Sequence, residues 1–85
     1  MNVDILYFAS LREALGRERE AAELPETVRT VGELRSWLAG RGGAWAAALA
    51  PERAVRAARN HTMVQASERL QAGDEVAFFP PVTGG

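Results

Sequence analysis

The chain has 85 residues, no cysteine, and a net charge of −1 from ten basic side chains, all of them arginine, against eleven acidic ones. A length like this allows one domain with a small core, burying about 60–65% of the unfolded surface. The composition leaves no disulfide, no thiol nucleophile and, with His61 alone, no histidine cluster for a metal or a triad. Near-neutral charge, the lack of a membrane-length apolar run and an N-terminus without a signal-peptide layout predict a soluble, cytoplasmic protein with no nucleic-acid or membrane partner.

Residues 2–8 alternate, with Val3, Ile5 and Tyr7 on one face and Asp4, Leu6 and Phe8 on the other. Period two with β-favouring residues predicts a strand, and because both faces turn apolar toward its end, a central one. Ser10-Leu11-Arg12-Glu13 has capping-box spacing and predicts a short helix through Leu11 and Leu15, ended by Gly16. Residues 17–24 carry charge with weak alternation and read as an edge strand before Pro25. Thr30-Val31-Gly32-Glu33 is a second capping box. It opens the main helix, whose apolar positions are Val31, Leu34 and Leu38 and which Gly40, Gly42 and Gly43 stop. Trp45 and Leu49 share one face of an alanine-rich turn or two before Pro51. Residues 54–59 and 62–65 predict two short strands joined at Asn60-His61, where Asn tolerates a positive φ. Gly73-Asp74 leads into a last strand, Glu75–Phe79. His61 and the arginines read as solvated surface, and Trp37 and Trp45 as packing residues.

The order is β, short α, β, α, β, β, β. The first and last strands are the most apolar and should be neighbours at the centre of the sheet. One main helix with short accessory helices can cover one face of such a mixed sheet. The arrangement is α+β and resembles the ubiquitin-like β-grasp roll, with the domain at 1–79 and an extended tail at 80–85. Leu6, Phe8, Ala77 and Phe79 fall on the face that a single main helix leaves open. A contiguous apolar surface there marks a partner site, unless the short helices or a loop cover it as core.

The tail is Pro80-Pro81-Val82-Thr83-Gly84-Gly85. Two prolines favour an extended conformation leading away from the sheet, and six residues at about 3.3 Å each reach roughly 20 Å. Glycine without a Cβ suits a narrow channel. A terminal carboxylate is a poor electrophile, but joined to AMP it becomes a mixed anhydride open to attack by sulfur or nitrogen. A fraying Gly-Gly end is the inert alternative.

Phe78-Phe79-Pro80-Pro81-Val82-Thr83-Gly84-Gly85 resembles the C-terminal signature of the small, sulfur-carrying subunit of molybdopterin synthase (MoaD type). Leu6-Tyr7-Phe8-Ala9, Leu11-Arg12-Glu13, the Asn60 turn and Gly73-Asp74-Glu75-Val76 are similar to that family's pattern as well. Arg59 departs from it, standing where the family more often has an apolar residue. The resemblance implies a sulfur carrier for molybdenum cofactor biosynthesis. An E1-like adenylyltransferase using ATP and Mg²⁺ would adenylate Gly85, with Gly84 beside it. A persulfide donor would convert the end to a thiocarboxylate, and the tail, Pro80 to Thr83 included, would enter the large synthase subunit to give sulfur to cyclic pyranopterin monophosphate. It implies a heterotetramer, a large-subunit contact at Phe8, Met63 and Phe79, catalysis on the large subunit, and no cofactor or metal held by this chain. Alternatives with the same fold are a carrier for thiamine or tRNA thiolation, or a ubiquitin-like protein modifier.

Overall fold

Alternation in the first strand decides the architecture. In the computed structural model, which describes residues 1–81, β1 (Asn2–Tyr7) buries Val3, Ile5 and Tyr7 completely or nearly so. Its alternate residues point to the opposite side. β2 (Arg19–Glu23) runs antiparallel to β1, and β5 (Glu75–Phe79) runs parallel to it on the other flank. The hairpin of β3 (Arg56–Arg59) and β4 (Thr62–Val64) completes a mixed sheet of order β2-β1-β5-β3-β4. The two most apolar strands are thus the central neighbours, as their composition predicts, and β2 is an edge.

One face of the sheet holds the core. Tyr7, Phe78, Ala57 and Val64 form one cross-strand row, and Val31, Leu34 and Leu38 of α2 (Val31–Ala39) pack with it in a single buried cluster. Leu11 of α1 (Ala9–Leu15) and Leu49, which follows α3 (Gly43–Ala48), close the cluster at one end. The capping box of α2 is formed as the sequence predicts. The Glu33 amide donates to Thr30 Oγ1 at 3.2 Å, and Glu33 Oε1 accepts from the Thr30 amide at 3.0 Å.

The capping box predicted at Ser10-Glu13 does not form. The first strand stops at Tyr7, Phe8 is the N-cap without a side-chain bond, and Ser10 lies inside α1. Ala9 has φ 53°, a left-handed conformation that a residue with a Cβ adopts only at a cost of roughly 1–2 kcal/mol. That abrupt step starts the helix ahead of Ser10, so its hydroxyl is too late to cap. Gly16, at φ 70°, ends α1 as expected, its amide donating to the Arg12 carbonyl. The β3–β4 turn uses positive φ at both Asn60 and His61, and the exposed His61 stands beside Glu75 at 3.4 Å.

Three of the arginines, read from the sequence as solvated surface, also bond to the body of the protein, and Arg41 does so while remaining exposed. The second inner-face row is Glu20, Ile5, Val76 and Arg59, so a charge sits at each margin of the core. Arg41 meets Glu20 with two hydrogen bonds of 2.8 and 2.9 Å, and Tyr7 donates its hydroxyl to the same carboxylate at 2.8 Å. The Arg41 guanidinium also lies over the Trp37 and Trp45 rings, at 5.3 and 4.4 Å, and Trp45 meets Tyr7 edge-on. At the other margin Arg59 donates to Asp74 at 2.8 Å and to Glu68 at 2.6 Å. Asp74, buried, also accepts from Asn60 Nδ2 and the Gln71 amide. Arg35 ties α2 to the chain beyond α3 through the carbonyls of Leu49, Ala50 and Arg53.

Burial pushes the Glu20 carboxyl upward, but the hydrogen bonds from Arg41 and Tyr7 outweigh it and hold the group below the ordinary range. At Asp74 burial is again opposed, by the Gln71 amide, Asn60 and Arg59, with the same net lowering. A carboxylate with a folded pKa below its unfolded one adds stability above the unfolded value and loses it as pH falls through the folded one. Unfolding free energy from urea titrations should therefore fall as pH drops below about 4. Glu20→Gln should make that decline shallower; an unchanged slope would remove Glu20 from the acid response. Phe78→Ala should cost about 3–5 kcal/mol by the same measurement, whereas Phe79→Ala, on the opposite face, should cost at most about 1 kcal/mol.

Candidate functional site

Residues paired in register across a sheet share a face, so the side of the sheet away from α2 can be read directly from the pairing. Leu6 lies opposite Ala77, Ala77 opposite Ala58, and Ala58 opposite Met63, a continuous apolar row across four strands. One step toward the C-terminal ends of β1 and β5 come Phe8 and Phe79. Phe8 is 45% exposed and Met63 53%, while Leu6, Ala77 and Phe79 are half-buried by their neighbours. None of the five is buried in the core. All five residues predicted for the partner surface are brought together on this face.

Phe8 is held there by its backbone. Its amide donates to the Phe78 carbonyl at 3.1 Å, extending the β1–β5 ladder, and its own carbonyl accepts from the Leu11 and Arg12 amides that open α1. The exposed ring is therefore fixed at a junction between sheet and helix. Arg59, which departs from the family pattern, does not reach this surface: its neighbour Ala58 pairs with Met63, and Arg59 points to the helix side, where Asp74 and Glu68 engage it.

The tail leaves the sheet where this apolar surface ends. β5 stops at Phe79, and Pro80 and Pro81 follow, both half-buried. Pro80 walls a depression of about 330 Å³ shared with Leu11 and Ala14 of α1 and with residues 52–55. Pro80, the root of the tail, thus leans on the body of the protein. Val82, Thr83, Gly84 and Gly85, named from the sequence as the reactive end and its spacer, lie outside the described residues. Among the described residues no group of three or more metal-ligating side chains is gathered, and no helix is long and apolar enough to cross a membrane.

Sequence reading missed Ala58 as the bridge between Ala77 and Met63, and the charges that flank the row. Arg19 pairs with Leu6, Arg56 pairs with Phe79, and Asp4 with Glu75 lies on the far side. Period-two parity within 54–59 would have put Arg56 and Ala58 on one face; only the register says which residues they adjoin.

The family model described as the ThiS family matches residues 5–85. The molybdopterin synthase sulfur carrier subunit of Escherichia coli (strain K12) is 43% identical over 83 residues, which cover 98% of this chain and 99% of that protein. Among solved structures, small archaeal modifier protein 1 of Haloferax volcanii is similar at 28% identity and a TM-score of 0.75, covering 95% of this chain and 98% of its own. A chain from the complex of subunits 1 and 2 of molybdopterin-converting factor from Helicobacter pylori 26695 matches over the whole of both chains at 22% identity and a TM-score of 0.69, a likeness of fold. The chain belongs to the ThiS family, with the ubiquitin-like β-grasp fold, and is related over nearly its whole length to molybdopterin synthase sulfur carrier subunits.

Proposed function

We propose that the protein is the sulfur carrier subunit of a molybdopterin synthase and that its reactive group is the carboxylate of Gly85. The observation that carries this reading is the 43% identity, over nearly the full length of both chains, to a molybdopterin synthase sulfur carrier subunit. The family match takes in Gly84 and Gly85.

With no cysteine the chain cannot carry sulfur as a persulfide of its own, which agrees with a carrier that holds it on the Gly85 carbonyl. Attack of the Gly85 carboxylate on the α-phosphate of ATP, in an adenylating partner that supplies Mg²⁺, releases pyrophosphate and leaves an acyl adenylate. The terminal sulfur of a persulfide then displaces AMP, and a second thiol cleaves the resulting S–S bond, leaving a thiocarboxylate. The large synthase subunit supplies the active site in which that sulfur passes to cyclic pyranopterin monophosphate, and this chain catalyses no step. Its own contribution is positional. The apolar face from Leu6 to Met63 docks the domain, Pro80 and Pro81 stiffen the exit, and Gly84 and Gly85 pass through a channel closed to larger residues.

A carrier that modifies other proteins is the second reading, favoured by the 28% identity to small archaeal modifier protein 1. In that case the activated carbonyl is attacked by an amine of a target instead of by sulfur.

Incubation with ATP, an adenylating enzyme and a persulfide donor should replace one oxygen by sulfur in the intact mass, localised to Gly85. Loss of Gly85 should abolish the exchange and leave the urea midpoint unchanged. Reconstitution with a molybdopterin synthase large subunit and the pterin precursor should then yield molybdopterin. A thiocarboxylate that forms but gives no molybdopterin would refute the molybdenum-cofactor reading. Phe79→Ala should weaken large-subunit binding at least about tenfold, as expected of a central aromatic anchor.

A further inference from the structure

Charges on the two faces of the sheet are treated differently. On the helix side, Glu20 and Arg59 sit at the margins of the core, and both are neutralised within the protein. On the open side, Arg19 adjoins Leu6 and Arg56 adjoins Phe79, both exposed. Asp4 adjoins Glu75, which has His61 Nε2 beside it at 3.4 Å, on the side of the apolar row away from Phe79. Among the described residues Arg19, Arg56 and Asp4 make no ion pair. The open face is thus ordered along the strands: carboxylates first, then the apolar row with Arg19 at its β2 margin, then Phe8, Phe79 and Arg56 at the end where β5 gives way to Pro80.

We infer that this charge order sets the polarity of docking, and that the large synthase subunit presents carboxylates to Arg56 and basic side chains to Asp4 and Glu75. The inference rests on the carrier reading and deepens it. The apolar row alone is a poor guide to direction, since Leu6, Ala77, Ala58 and Met63 run straight across the strands and would seat nearly as well if the domain were turned end for end. Turned that way, the tail would leave on the wrong side and could not reach the partner's channel. Glu75 and Phe79, which mark the two charged zones along β5, are four residues apart, about 13 Å at the usual strand rise. That exceeds the screening length of about 8 Å at physiological salt, so the zones do not cancel and a partner senses each separately. A reversed approach sets like charges against each other, which is how an interface rejects a wrong geometry. A depression beside Arg56 and Met63, bordered also by Gln65, leaves room for a partner side chain to reach the guanidinium.

The test is association of the full chain with its large subunit, followed by stopped flow at about 0.05 M and about 0.5 M salt. Arg56→Glu and Asp4→Arg should each slow association about tenfold at low salt, and the deficit should collapse at high salt. Phe79→Ala should instead speed dissociation at both salt concentrations. Urea midpoints within error of the unmodified chain would confirm that the two charge variants fold. If either charge variant associates like the unmodified chain at low salt, or if the deficit is independent of salt, the inference is overturned. It is equally overturned if the deficit appears only with the adenylating enzyme. Failure of the unmodified chain to bind the large subunit would instead sink the carrier reading beneath it.

Discussion

Everything at the working end of this molecule depends on the parallel pairing of β1 with β5. Parallel neighbours end on the same side, so Phe8 at the close of β1 and Phe79 at the close of β5 come out together, with Pro80 beside them. Had these strands been antiparallel, the exposed aromatic of the first would lie at the far end of the sheet from the tail. Parallel strands cannot be joined by a tight hairpin and need a crossover. Here nearly the whole chain between Tyr7 and Glu75 serves as that crossover, and α2 is the part of it that covers the inner face. The same pairing that builds the core therefore also brings the docking surface to the root of the tail.

A domain this small has little margin, and the structure places its polar bonds accordingly. The sheet is narrow enough that the inner row Glu20, Ile5, Val76 and Arg59 carries a charge at each side of the core. Each of those charges is met by several bonds. Tyr7 and Arg41 converge on Glu20, and Asp74 joins Arg59 to the Asn60 turn and the Gln71 amide. Burial together with the neighbouring Glu20 carboxylate pushes the Tyr7 phenol well above its ordinary range, so it remains a donor. Arginine suits these places better than lysine, because a planar guanidinium can bond a carboxylate at two points while lying over the Trp37 and Trp45 rings. The chain without lysine thus uses part of its arginine to tie its elements together and leaves Arg19 and Arg56 for the open face.

The strand pattern was legible because burial on one side of a sheet imposes period two. Val3, Ile5 and Tyr7 could be assigned to the core from spacing alone, and Leu6, Phe8, Ala77 and Phe79 to the other side. The α2 capping box was legible because both of its partners are local, Thr30 and Glu33. The similar spacing at Ser10 and Glu13 misled, because the left-handed step at Ala9 moves the helix start by a residue and nothing local announces it. Arg41 and Glu20 are 21 residues apart, and Asn60 and Asp74 are 14 apart. No periodicity links such pairs, so the networks they form were invisible until the chain was folded.

What the amino-acid sequence determined by itself was the set of elements, the alternation of faces within the first and last strands, the lack of a thiol, and the resemblance that points to a sulfur carrier. These follow from local spacing, composition and motif, which need no knowledge of distant contacts. Only the tertiary structure decided which residues are neighbours across the open face. Register brings Ala58 between Ala77 and Met63, turns Arg59 away from that surface, and sets Arg56 beside Phe79 and Asp4 beside Glu75. A shift of one residue in any strand would exchange its two faces. That choice is made by the core as a whole, and no segment contains it.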